Sequence, residues 1–127
     1  MNKPLNIAAR LLMAQIFIIS GFGKIAGYSA TAGYFSSLGI PMSSVVLPLV
    51  ILIEFGGGLA LLFGFKARWA AAILALFTIA AALIAHTNFD DRMQMIQFMK
   101  NLAMAGGLLL FVKYGAGQPS IDEKVGD

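Results

Sequence analysis

The chain contains no cysteine among its 127 residues. That excludes disulfides, thiol catalysis, iron–sulfur ligation and thiolate zinc sites. Charge is nearly as scarce: 12% of residues are Asp, Glu, Lys or Arg, against about 25% in ordinary globular domains. Reaction signatures are missing too, with no Walker loop, no dinucleotide fingerprint, no HExxH pair and no nucleophile elbow. What fills the chain is apolar: 59% of residues are hydrophobic and the mean hydropathy is +0.83. A soluble fold of this size cannot hide so much apolar surface, so lipid must take the place of water.

Four apolar segments nearly exhaust the length. They run from about Leu5 to Gly27, Ser44 to Phe63, Ala67 to His86 and Met95 to Tyr114, each close to the ~20 residues that cross a hydrocarbon core. The first is not read as a signal peptide, because Arg10 and Lys24 interrupt it and no small-residue cleavage site follows a short core. Gly64-Phe65-Lys66 makes a tight turn, so spans 2 and 3 form a helical hairpin. Thr87 to Gln94 forms a short polar loop, with Asn88 or Asp90 as N-cap. Residues 28–43 are too many for a turn and too polar to span. Ala30, Tyr34, Phe35 and Leu38 share a helical face there, and Gly39 and Pro41 are stop signals, which predicts a short amphipathic helix in the interface. The tail, 115–127, is polar and expected to be flexible. The expected fold is therefore all-α, a single transmembrane domain over 1–127 built as a four-helix bundle with an interfacial helix between spans 1 and 2.

The net charge of +3 reflects topology rather than nucleic-acid binding, since the basic residues are dispersed at the ends of apolar segments. Lys3, Arg10, Lys66, Arg68, Lys113 and Lys124 fall on one side, and Lys24, Arg92 and Lys100 on the other. The positive-inside rule then puts both termini in the cytoplasm of a bacterial inner membrane. Small residues mark close helix approach: the Gly23/Gly27 pair, Gly56-Gly57-Gly58, Ala103 with Gly107, and Gly21 and Gly106.

Ionisable groups inside a span cost about 2.5–3.5 kcal/mol each at the centre on insertion scales, so they face the bundle and find partners. Glu54 stands near mid-depth of span 2, out of reach of water. Its candidate partners are Lys24, from the outer half of span 1, and Arg10, nearer the inner end. One reading is a buried ion pair that fixes register; the other is a proton or ligand site. Lys24 shares a face with Ser20, and in the plainer reading snorkels to the interface. His86, at the outer end of span 3, is either an interfacial cap or a ligand donor. Asn101 follows Gln97 and Gln94 on one polar stripe of span 4; cross-helix hydrogen bonding is the plainer account. Met93, Met95, Met99 and Met104 cluster nearby, and adaptable packing explains them without a metal. Lys24, Glu54, His86 and Asn101 thus come from four different spans at similar depth, which points to one shared polar pocket.

The order and spacing of these residues resemble a known family. Arg10-Leu-Leu-Met-Ala-Gln-Ile-Phe-Ile-Ile-Ser-Gly-Phe-Gly-Lys24 resembles the first span of the DoxX family. Tyr34-Phe-Ser-Ser-Leu-Gly-Ile-Pro41 is similar to its first outer loop, and Glu54-Phe-Gly-Gly-Gly-Leu-Ala-Leu-Leu-Phe-Gly64 with Arg68 to its second span and turn. His86, then Phe98-Met-Lys-Asn101-Leu-Ala-Met-Ala-Gly106-Gly107, and Ser120-Ile-Asp122 complete the pattern, so the match covers almost the whole chain. The resemblance implies a four-span membrane protein. It also implies a link to redox chemistry, since the family takes its name from a subunit associated with a thiosulfate:quinone oxidoreductase, and some relatives associate with oxidative-stress and sulfur-metabolism proteins. The leading expectation is an accessory component of a membrane redox system, not an enzyme on its own, holding a quinone head group or a small oxidant or sulfur species. A small-solute transporter or channel, and a scaffold or chaperone-like interaction protein, stand as rivals. Expected partners are the bilayer, other membrane or redox proteins and a second copy of the chain.

Overall fold

The computed structural model describes residues 3–125. Four helices in it are long and apolar enough to cross a membrane: Lys3–Ala26, Ser43–Phe63, Ala67–Ala85 and Arg92–Tyr114. No strand occurs among the described residues, and the protein is an all-α membrane bundle. Span 1 is α1 (Lys3–Ala26), and α2 (Tyr28–Ser37) follows after Gly27. Span 2 is composite: α3 (Ser43–Ile51), a π-helical turn (Leu52–Gly56), then α4 (Gly57–Phe63). Span 3 is α5 (Ala67–Ala85), span 4 is α6 (Arg92–Tyr114), and a short α7 (Ile121–Val125) closes the described chain.

Local chemistry accounts for most boundaries. Gly64 ends α4 in the left-handed region at φ +71°, with Phe65 N–H donating to Ala60 O at 2.8 Å and Gly64 N–H to Leu61 O at 3.2 Å, a Schellman ending that a side chain would strain. Asp91 caps α6, accepting from Met93 N–H at 2.9 Å; the cap is neither Asn88 nor Asp90, and α6 begins three residues before the expected Met95. Span 2 is not one regular α-helix. Pro48 sits inside α3 and has no N–H to give to the preceding turn. One turn later the backbone widens into the π turn, with Glu54 in it, Gly56 at its end and Gly57 and Gly58 directly behind. Such widened turns occur mostly as single insertions in α-helices, frequently at functional sites.

The small residues sort into those that pack and those that do not. A Cβ on Gly21 would lie 2.8 Å from the Phe55 backbone nitrogen, and one on Gly58 2.8 Å from the Ile18 side chain. These two glycines let α1 and the second span touch backbone to backbone, and Gly57 admits the Leu74 side chain at 3.2 Å. Gly23 and Gly106 meet nothing within 4 Å, and Gly27 meets only the Gly23 carbonyl. The expectation that Gly23, Gly27 and Gly106 pack helices inside the chain is therefore corrected; they lie on the outside of the bundle. Gly21→Ala is expected to cost about 1–3 kcal/mol through overpacking against backbone. Gly23→Ala should be neutral or slightly stabilising through helix propensity. Parallel unfolding of both variants in micelles checks the contrast, and equal effects would contradict the packing described.

The bundle is asymmetric. Alanines 67, 70, 71, 75 and 82 are buried on α5, so α6 lies along nearly the whole of that helix. The core, with Ala14, Phe17, Leu61, Leu74 and Leu108, fills the half nearer the termini. Spans 1 and 4 touch only sparsely. Outward faces carry residues suited to lipid, such as Leu12, Ile19, Leu52, Leu76 and Leu83.

The tail corrects a further expectation. Over 115–125 it is docked under the terminal end of the bundle rather than free; 126–127 lie outside the described residues. Asp122, buried, accepts from Lys66 N–H at 2.6 Å and Ala67 N–H at 2.8 Å. Its own N–H donates to Gly64 O at 2.8 Å. A carboxylate 55 residues away thus caps the start of α5 and faces its positive dipole end. Arg10 reaches the same segment, donating to Pro119 O at 2.6 Å and Ala116 O at 3.4 Å.

Candidate functional site in the far half of the bundle

Lys24, Glu54, His86 and Asn101 all line one cavity of about 420 Å³. It lies in the half of the bundle away from the termini, lined by residues of all four spans. The interfacial helix α2 contributes to its wall. Phe35 is buried and Leu38 half-buried there, and both line the cavity, as does the half-exposed Tyr34. Ala30, expected on the same face, is exposed. Most of the wall is apolar, with Phe17, Val50 and Phe77 among it, so each polar group on it acts in a medium of low dielectric.

The ion pair is settled in favour of Lys24. Its Nζ lies 2.6 Å from Glu54 Oε1 and donates to Ser20 Oγ at 2.8 Å. The Glu54 side chain is 6% exposed and that of Lys24 21%. Although the two atoms are close, Oε1 accepts no hydrogen bond of good alignment. The two charged groups are in direct contact, and an ionised carboxylate keeps acceptor capacity for another donor. Arg10, the other candidate partner, is engaged with tail carbonyls at the opposite end of the bundle. The two basic residues are 14 positions apart on α1, roughly 20 Å along the helix at ~1.5 Å per residue, so one carboxylate cannot serve both.

The remaining polar groups come from α5 and α6. Asn101 is buried and donates through Nδ2 to Thr78 O at 3.2 Å, a bond across helices. His86 Nδ1 lies 3.3 Å from Gln94 Oε1. When Nδ1 carries the proton and donates there, Nε2 retains a lone pair. Thr78 was not singled out in the sequence, yet it lines the cavity, is 2% exposed, and its hydroxyl has no partner. A threonine in an alanine-rich helix gives no sequence signal, because its hydroxyl usually bonds back to its own helix. Among the described residues no three His, Asp or Glu side chains converge as metal ligands. The set instead combines a charge-compensated ion pair with single donors and acceptors on different walls. Such a set can hydrogen-bond a small polar group in a pocket of ordinary ligand size.

Thr78→Val is expected to raise stability by about 1 kcal/mol, because it removes a buried hydroxyl with no partner at nearly constant volume. The same substitution should lower occupancy of the cavity. Loss of stability with occupancy unchanged would assign the hydroxyl to the fold instead.

Fold and cavity together define a small polytopic membrane protein with a buried ion pair at the wall of an intramembrane pocket. The chain belongs to the DoxX family, whose model matches residues 5–87. It is 48% identical over 116 residues to the inner membrane protein YqjF of Escherichia coli (strain K12), covering 91% of this chain and 88% of that one. It is 34% identical over 125 residues to the inner membrane protein YphA of the same strain, covering 94% and 89%. A third relative, from Bacillus subtilis (strain 168), is named "Putative oxidoreductase CatD" and is 31% identical over 86 residues, covering 65% of this chain and 63% of its own. No solved structure gives a significant match.

Proposed function

We propose that this protein is an accessory, non-catalytic component of a membrane redox system and that its cavity holds the head group of a quinone. The observation that carries the reading is the convergence of Lys24, Glu54, Asn101, His86 and Thr78 on one apolar-walled cavity of about 420 Å³. A quinone ring is flat and neutral with a carbonyl oxygen at each end. Lys24 on α1 and Thr78 on α5 supply donors on different walls, while Glu54 compensates the ammonium so that no net charge is buried. The name of the Bacillus relative supports a redox connection. The names of the two Escherichia relatives support the bacterial inner membrane as the location. The excess of Lys and Arg at the terminal end of the bundle supports cytoplasmic termini.

Native mass spectrometry of the full chain, extracted gently with its own lipids, tests the reading, with Glu54→Gln alongside. A discrete bound quinone that is lost in the variant is the expected result. A protein carrying only bulk lipid, unchanged by the variant, would overturn it in favour of a structural role for the polar groups.

A further inference from the structure

The helix contacts stack four polar groups of the cavity into one layer. Gly58 meets Ile18 and Gly21 meets Phe55, so α1 and span 2 run antiparallel in a fixed register. One step further along both helices brings Lys24 to Glu54, in contact at 2.6 Å. On the other flank of span 2, Gly57 meets Leu74. Spans 2 and 3 form an antiparallel hairpin through Gly64. One turn from Gly57 and Leu74, away from that hairpin, therefore sets Glu54 and Thr78 at the same level. Asn101 joins this level from α6, donating to Thr78 O at 3.2 Å. Lys24, Glu54, Thr78 and Asn101 all line the cavity.

Hydrogen bonding within the layer is incomplete. Thr78 is 2% exposed and its hydroxyl has no partner, which is costly for a buried polar group. The Glu54 side chain is 6% exposed, and among the described residues its ionic or hydrogen-bonding contact is Lys24. An ionised carboxylate has about four acceptor sites, so most of its capacity is unused. The Lys24 ammonium carries three hydrogens; it meets Glu54 and donates to Ser20 Oγ at 2.8 Å, which leaves one. Side by side, then, stand a carboxylate that can accept and an ammonium that can still donate. A hydroxyl group answers both at once, because it donates and accepts through the same oxygen.

We propose that the cavity holds the reduced, hydroxyl-bearing form of the ring, a hydroquinone, in preference to the quinone, and that Glu54 makes the distinction; the proposal rests on the head-group reading given above. A hydroquinone O–H donates to the Glu54 carboxylate while its oxygen accepts from Lys24. A quinone carbonyl can only accept. It satisfies Lys24 but offers the carboxylate nothing, and it sets a partly negative oxygen beside a fully negative one. The two forms share one flat ring, so shape separates them poorly and the donor separates them well. Thr78 can donate to either form, so it holds the ring without choosing between the two. The preference is one of binding and needs no electron transfer within this chain.

The full chain in detergent micelles is titrated calorimetrically, without oxygen, with a tailless dimethoxy-methyl-benzoquinone and with its hydroquinone. The protein has no cysteine for the quinone to alkylate. The hydroquinone is expected to bind at least roughly tenfold more tightly, as one hydrogen bond to a charged acceptor allows. Glu54→Gln, whose amide both donates and accepts, should bring the ratio close to one. Thr78→Val should weaken both forms alike and leave the ratio standing. Should Glu54→Gln fold poorly, the wild-type ratio still decides the preference. Equal affinities in the wild type, or a tighter quinone, would overturn the preference while leaving the head-group reading intact. A ratio unchanged in folded Glu54→Gln would overturn the role of Glu54. Binding of neither form would take the head-group reading down as well.

Discussion

Lys24→Met alone is expected to destabilise the bundle by about 3 kcal/mol, and Lys24→Met with Glu54→Leu to recover most of that loss. The asymmetry follows from where the charges sit. Glu54 is buried in the π turn, among apolar neighbours, and its counter-charge is an ammonium 2.6 Å away. Removing only the ammonium strands an uncompensated carboxylate in an apolar wall. Removing both exchanges an ion pair for apolar contact, which is often neutral or better. The expected cost lies at the low end for a broken buried pair because Lys24 keeps some exposure. Unfolding in mixed micelles, followed by helicity, reads both variants. If the single substitution costs nothing, the pair is solvated and the cavity is wetter than its lining suggests.

The same two variants divide structure from function. The apolar double variant should fold and yet carry no quinone, because the wall then offers neither ammonium nor carboxylate. The charge-reversed pair, Lys24→Glu with Glu54→Lys, should also regain stability. Full ligand occupancy in the reversed protein would show that the pair serves only as glue between spans 1 and 2.

How far the sequence revealed this site depends on what kind of partner each residue has. Glu54 and Lys24 were legible because a charge inside a span is costly enough to demand an explanation. Their pairing was open only because Arg10 was a second cation on the same helix. Arg10 could not be placed, since its partners are the backbone carbonyls of Ala116 and Pro119, more than a hundred residues away, and a carbonyl leaves no mark in a sequence. The four spans were legible because most positions in them face either lipid or an apolar neighbour. The π turn was not: Pro48 and the triple glycine are both consistent with a regular span. The glycine pattern misled in part because small-xxx-small spacing shows that a surface can be approached, not that a helix approaches it. Thr78 was invisible because its hydroxyl matters only through the partner it lacks.

The tail shows the same limit most clearly, and it carries the other large expected effect. Asp122→Ala should cost about 3 kcal/mol, since it leaves the N–H groups of Lys66 and Ala67 without their acceptor and removes a negative charge from the start of α5. Asp122→Asn should cost less, because one amide oxygen still accepts one of the two. The single tryptophan, Trp69, lies in the first turn of α5, two residues after Ala67, so its fluorescence reports on the start of that helix, while helicity reports the whole bundle. Coincident transitions, both shifted down in Asp122→Ala, are the expected result, because the tail closes the end of a bundle in which spans 1 and 4 hardly meet. Arg10 should respond as well: with the tail released, its buried guanidinium loses both carbonyls at once. Arg10→Leu should then cost far less in the Asp122→Ala background than in the wild type. Additive losses, or a tryptophan change with no shift in helicity, would make the tail a surface attachment and leave spans 1 and 4 to be held by other means.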